Sequence, residues 1–88
     1  MKRATKSFDE MIGQIPPEIK AEFDLTFAIS DRIDALMKEK GLTKKELADA
    51  LGTRTYEVTK WLSGQYNFSM AIIAKLTVFF GQPIIKVV

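Results

Sequence analysis

A capping box and a glycine that follows it delimit a short helix near the middle of this 88-residue chain. Thr43 can accept a hydrogen bond from the amide of Glu46, and the Glu46 carboxylate can reach back to the amide of Thr43. Gly52 can adopt the positive φ that a tight turn requires. The chain must therefore turn sharply after this helix, which brings the next segment against it.

The segment after the turn is predicted to be a second short helix. We expect it to run from about Arg54 to Ser63 and to end at Gly64. Ala48, in the first helix, supplies a small side chain where the two helices cross. Two short helices joined by a tight turn that contains glycine form a helix-turn-helix arrangement.

The second helix is predicted to have one apolar and one polar side. At about 100° per residue, Val58, Trp61 and Leu62 cluster together and are expected to pack in the core. The opposite side and the leading tip carry groups that hydrogen-bond to base edges or phosphates: Arg54, Thr55, Tyr56, Thr59, Lys60 and Ser63. Glu57 is acidic and projects to the flank. A merely solvated face is the alternative interpretation.

The flanking sequence predicts more helices around this pair. Apolar residues recur at helical spacing from Glu18 to Lys40, as one helix or two, because Asp24 and Ser30 are both possible caps. Ser69 is the expected cap of a further helix that ends at Gly81. We therefore predict an all-α fold, a four- to five-helix bundle with a helix-turn-helix over residues 17–81.

The two ends of the chain are predicted to differ from this bundle. Residues 1–16 are expected to form a flexible tail, and the basic residues Lys2, Arg3 and Lys6 suit a solvated tail better than a minor-groove arm. Residues 82–88 contain a β-branched run that predicts a short strand. An isolated strand leaves its backbone unpaired, so we expect it to pair with a second subunit or a partner through Ile84, Ile85, Val87 and Val88.

The composition argues against catalysis and metal binding. The chain has no cysteine and no histidine, which removes disulfides and the commonest general base and metal ligand. We predict that it is not an enzyme and needs no cofactor. Its net charge of +2 suits an anionic partner. It has no membrane-length apolar run and no signal-peptide start, so we expect a cytoplasmic protein.

The central residues resemble a known family. GLTKKELADALG and VTKWLSG are similar to the helix-turn-helix run of the Xre family, the phage Cro- and repressor-like proteins, and the resemblance spans about Ile29 to Gly81. It implies that positions matching Arg54, Thr55, Tyr56, Thr59 and Lys60 face the major groove. It also implies backbone contacts near Thr43 and Lys44 and in the loop with Gln65 and Asn67. The chain departs from the family at Thr53 and Arg54, so a helix capped by Thr53, one residue earlier, stays open.

Residues 62–84 resemble one particular group of helix-turn-helix proteins. LSGQYNFSMAIIAKLTVFFGQPI is similar to the end of HigA-type antitoxins, which bind an RNA-cleaving toxin and repress their own operon. The resemblance implies a homodimeric repressor on a palindromic operator, with an RNase-type toxin as a possible partner. An Xre-type repressor without a toxin, and an interaction module that keeps the fold without binding DNA, are the alternatives.

Overall fold

The computed structural model describes residues 15–85, and this part of the chain is all-α, with no strand. Its four helices are α1 (Pro17–Lys40), α2 (Lys44–Leu51), α3 (Thr55–Trp61) and α4 (Met70–Phe80). Helices α2 and α3 and the turn between them form the predicted helix-turn-helix. The predicted flexible tail, apart from residues 15 and 16, and the basic residues Lys2, Arg3 and Lys6 lie outside the described residues.

Helix α1 is one continuous helix. Pro17 occupies its first turn, where the missing N–H costs no hydrogen bond. It ends at Gly41, whose N–H donates to the carbonyl of Lys38 at 3.2 Å. Asp24 and Ser30, the two possible caps, therefore lie inside the helix.

Lys38, on the exposed side of α1, forms an ion pair with Asp34. The hydrogen bond to Asp34 and the charge of that carboxylate raise the pKa of Lys38.

The apolar stripe predicted for α1 is buried over only part of its length. Its buried residues begin at Thr26 and continue to Met37. Ile19, Phe23 and Phe27 are 39%, 49% and 54% exposed. Their spacing of four places them along one side of the helix. The first half of α1 therefore presents apolar side chains to the surface instead of to the core.

The core lies where α1, the helix-turn-helix and α4 meet. Its fully buried side chains come from all four helices: Ile33, Leu36, Leu47, Val58 and Leu76. Ala48 is 1% exposed, as expected for a small residue at the crossing of α2 and α3. Ser69 caps α4 as predicted, because its hydroxyl accepts a hydrogen bond from the amide of Ile72 at 3.2 Å.

The strand predicted for the end of the chain is wrong for its described residues. Ile84 is 6% exposed and belongs to the core, and Ile85 packs partly buried against it. Arg32 of α1 holds the preceding residues by donating to the Pro83 carbonyl at 3.1 Å. The side chains of Ile84 and Ile85 thus pack in or against the core of the same chain. Val87 and Val88, the other members of the predicted strand, lie outside the described residues.

Candidate nucleic-acid interface

The start of α2 is built by the capping box predicted from the sequence. The Glu46 amide donates to the Thr43 hydroxyl at 3.1 Å, and the Thr43 amide donates to the Glu46 carboxylate at 2.8 Å. The Thr43 hydroxyl oxygen thereby accepts at the helix end, and its hydrogen remains able to donate to another group. Lys44, the first residue of α2, is exposed beside it. A cation at this end of the helix is available to an anionic group outside the protein.

The turn between α2 and α3 fixes the register of the second helix. Gly52 has φ of +70°, and the Thr53 amide donates back to the carbonyl of Ala48 at 2.9 Å. Thr53 therefore belongs to the turn and does not cap α3. Arg54 is the N-cap, with extended backbone and no capping bond from its side chain. The Arg54 guanidinium is thus left free of any role in starting the helix.

Helix α3 is shorter than expected, because it begins at Thr55 and ends at Trp61. Within it the predicted division of sides is confirmed. Val58 and Trp61 are 0% and 4% exposed, while Thr55, Tyr56, Thr59 and Lys60 are all exposed. Together with Arg54 these four residues define what we call the outer face of α3.

The outer face of α3 is positively charged and rich in hydrogen-bonding groups. The Lys60 ammonium lies 5.0 Å from the centre of the Tyr56 ring, within the range of a cation–π contact. The Thr59 hydroxyl donates to the Thr55 carbonyl at 3.3 Å, and its oxygen remains a possible acceptor. Glu57 is half-buried on the flank. The outer face therefore combines two cations with hydroxyl groups and carries no carboxylate.

The residues after α3 divide into two kinds. The Ser63 hydroxyl donates to the Lys60 carbonyl at 2.7 Å and accepts from the Gln65 amide at 3.1 Å. It therefore shapes the turn that follows the helix. Gln65 and Asn67 are exposed in the irregular loop that leads to α4, so their side-chain amides are accessible from solvent.

A helix-turn-helix family model matches residues 33–86, which is more than half of the chain. The match includes α2, the turn, α3 and α4. This chain belongs to the Cro-like, Xre-like helix-turn-helix family. The family is one of DNA-binding regulatory domains. No curated protein matches the chain.

The helix-turn-helix domain has two further properties over residues 15–85. None of the helices in that range is both long and apolar enough to cross a membrane. The same residues contain no group of three or more histidine, cysteine, aspartate or glutamate side chains that could hold a metal ion.

The end of α3 is attached to α1 by hydrogen bonds that sequence reasoning missed. The Ser30 hydroxyl donates to the Trp61 carbonyl at 2.6 Å and accepts from the Gly64 amide at 3.1 Å. The Thr26 hydroxyl donates to the Gly64 carbonyl at 3.1 Å. We call this arrangement the α1–α3 clasp. The available signal was that Thr26 and Ser30, two hydroxyl residues four positions apart, lie among the apolar residues at helical spacing in α1, although Ser30 was interpreted as a possible cap.

Gly64 completes the clasp, in a position that favours glycine on two grounds. Its φ is +84°, a conformation that L-residues with a side chain rarely adopt. A Cβ at this position would lie 2.6 Å from Cε1 of Phe27. The Phe27 ring therefore packs directly on the backbone at the end of α3. Helix α1 thus fixes both where the outer face points and where the helix stops.

Proposed function

We propose that this protein is a sequence-specific transcriptional repressor that inserts α3 into the major groove of DNA. The observation that carries the proposal is the outer face of α3, where two cations and several hydroxyl groups are exposed on a helix anchored by its opposite side. Residues of this kind recognise base edges and phosphates. The family to which the chain belongs supports the same assignment.

Individual roles follow from position on the outer face. Arg54 and Lys60 are assigned to guanine contacts, because a long cationic side chain can reach the O6 and N7 acceptors of guanine. Thr55, Tyr56 and Thr59 would adjust base choice or contact phosphate. Five exposed residues outside the outer face are assigned to the DNA backbone: Thr43, Lys44, Ser63, Gln65 and Asn67.

A homodimer on a palindromic operator is part of the proposal. Two such domains would place their α3 helices in successive major grooves, about 34–36 Å apart. The exposed apolar residues Ile19, Phe23 and Phe27 support a protein contact on α1, because apolar patches on small domains commonly mark interfaces. The predicted strand pairing is not part of this proposal, since Ile84 is buried within its own subunit.

We further propose that the protein is the antitoxin of a type II toxin–antitoxin pair and represses its own operon. The support is the similarity of residues 62–84 to HigA-type antitoxins, together with the apolar surface of α1, which suits a protein partner. Co-expression with the product of the neighbouring reading frame tests it. Co-purification of an RNA-cleaving protein, and relief of its toxicity, are expected. A neighbour that neither binds nor is toxic would leave a repressor without a toxin.

A further inference from the structure

A cavity of about 140 Å³ lies behind the outer face of α3, between the helix-turn-helix and α4. Its apolar walls come from Leu51, Trp61, Ile72 and Leu76. Cavities of about 150 Å³ with such a lining hold ligands the size of benzene. A branched aliphatic group of four carbons is smaller than that ring and fits the space.

Two opposite charges lie at the same cavity. Glu57 of α3 and Lys75 of α4 both line it. Within residues 15–85, ion pairs at 2.9 Å join Lys20 to Asp24, Lys38 to Asp34 and Lys45 to Asp49. Glu57 and Lys75 belong to none of these pairs, so in the described residues each charge remains available to a ligand.

Trp61, which also lines the cavity, carries a buried hydrogen-bond donor. Trp61 is 4% exposed, and its Nε1–H is buried without an acceptor in residues 15–85. Buried donors in folded proteins are nearly always paired. Because this nitrogen has almost no accessible surface, a ligand in the cavity does not reach it, and recognition of ligand charge is left to Glu57 and Lys75.

We propose that this cavity binds a small zwitterion with an apolar side chain, of the chemical class of free aliphatic amino acids. The aliphatic group occupies the apolar interior, the ammonium faces Glu57 and the carboxylate faces Lys75. A simple anion would be opposed by Glu57, and a simple cation by Lys75. Glu57 lies on the flank of α3 and outside its outer face, so the site goes beyond the proposed recognition of DNA.

Trp61 provides the measurement, because it is the only tryptophan of the chain. The full chain is titrated with L-leucine, with isocaproate and isoamylamine, which lack its ammonium and its carboxylate respectively, and with glycine. Tryptophan fluorescence should change saturably with leucine. Leucine should bind up to about fivefold more tightly than either singly charged analogue, the range expected for an exposed ion pair. Glycine should have no effect.

Two variants assign the charges. Glu57→Gln should reduce leucine affinity to that of isocaproate without weakening isocaproate, and Lys75→Gln should reduce it to that of isoamylamine without weakening isoamylamine. Both positions are outside the core, so folding should persist, as circular dichroism will check. Lys40→Gln, at the end of α1, is the matched control and should leave the titration unchanged.

Two results would overturn the proposal. Equal affinities for leucine and both analogues, unaffected by the Glu57 and Lys75 variants, would mean a plain apolar cavity suited to the side chain of a protein partner. The absence of any fluorescence change at the solubility limit of leucine, from a folded chain, would mean that the cavity is not a site for this class of ligand.

Discussion

Arg54 and Lys44 are both exposed cations, yet their positions give them different proposed tasks. Arg54 stands at the leading tip of α3 and has no capping bond. Arg54→Ala should therefore leave the fold intact and cost about 1–3 kcal/mol on the specific operator, with little loss on random DNA. Lys44→Ala should weaken binding to all sequences alike.

Competition binding with operator and random DNA measures this difference. Lys45→Ala is the matched control, because Lys45 is a neighbouring lysine that is paired with Asp49 at 2.9 Å. Equal losses on both DNAs after Arg54→Ala would contradict the assignment of Arg54 to base recognition.

Gly64 is the residue whose replacement should damage the fold most directly. Gly64→Ala combines left-handed backbone strain of about 1–2 kcal/mol with a Cβ placed 2.6 Å from the Phe27 ring. Gly52→Ala is the matched control, because it has φ of +70° but no atom within 4 Å of the added Cβ. Urea unfolding should show the larger loss for Gly64→Ala, by about 0.5–1.5 kcal/mol, because the half-exposed Phe27 ring must leave its preferred rotamer to make room.

A second substitution isolates the contact. Phe27→Ala in the Gly64→Ala background should recover part of the lost stability, because it removes the ring that meets the new Cβ. Equal destabilisation by the two glycine variants would show that Phe27 does not press on the end of α3.

At the scale of elements, the α1–α3 clasp holds α3 against the long helix α1. Ser30→Ala would leave the Trp61 carbonyl and the Gly64 amide without their buried partner. We expect a loss of about 1–3 kcal/mol in unfolding free energy and faster hydrogen exchange at the Gly64 amide. Ser63→Ala, which removes an exposed hydroxyl from the same turn, is the suitable control, and an equal loss in both variants would argue against the clasp.

The elements that were predictable are those whose signals lie within a few residues. The capping box of Thr43 and Glu46 fixed the start of α2, and Gly52 fixed its end, because both act through local hydrogen bonds and dihedral angles. The partners of Ser30 lie more than thirty positions away along the chain. Local sequence offered only a cap as its role. The outer face of α3 was predictable because helical periodicity alone separates it from Val58 and Trp61.

At the scale of the whole molecule, tertiary packing determines which apolar residues are buried, and sequence periodicity alone did not predict this. The end of the chain has strand-forming residues, but Ile84 is buried in the core of the same chain. The stripe of α1 has helical spacing throughout, yet Ile19 and Phe23 remain 39% and 49% exposed. The burial of Ile84 and the exposure of Ile19 and Phe23 both depend on how far the core extends. No short stretch of sequence encodes that extent.

The proposed dimer makes a prediction about salt. If each subunit neutralises about three phosphates, the dimer neutralises about six, and the slope of log affinity against log salt concentration should be about −5. Operator titrations at several salt concentrations measure this slope, with the oligomeric state followed by analytical ultracentrifugation. A slope of about half that value, from a protein that stays monomeric on DNA, would exclude the dimer.

The most direct test of the account is binding of the full chain to its own upstream DNA at about 150 mM salt, where phosphate contacts alone are weak. Excess random DNA is included as competitor, and the Arg54→Ala variant is measured in parallel. We expect a salt-sensitive complex that survives the competitor with the unmodified chain and is lost with the variant. A folded protein that gives no retained complex, or one equally well displaced by random DNA, would contradict it.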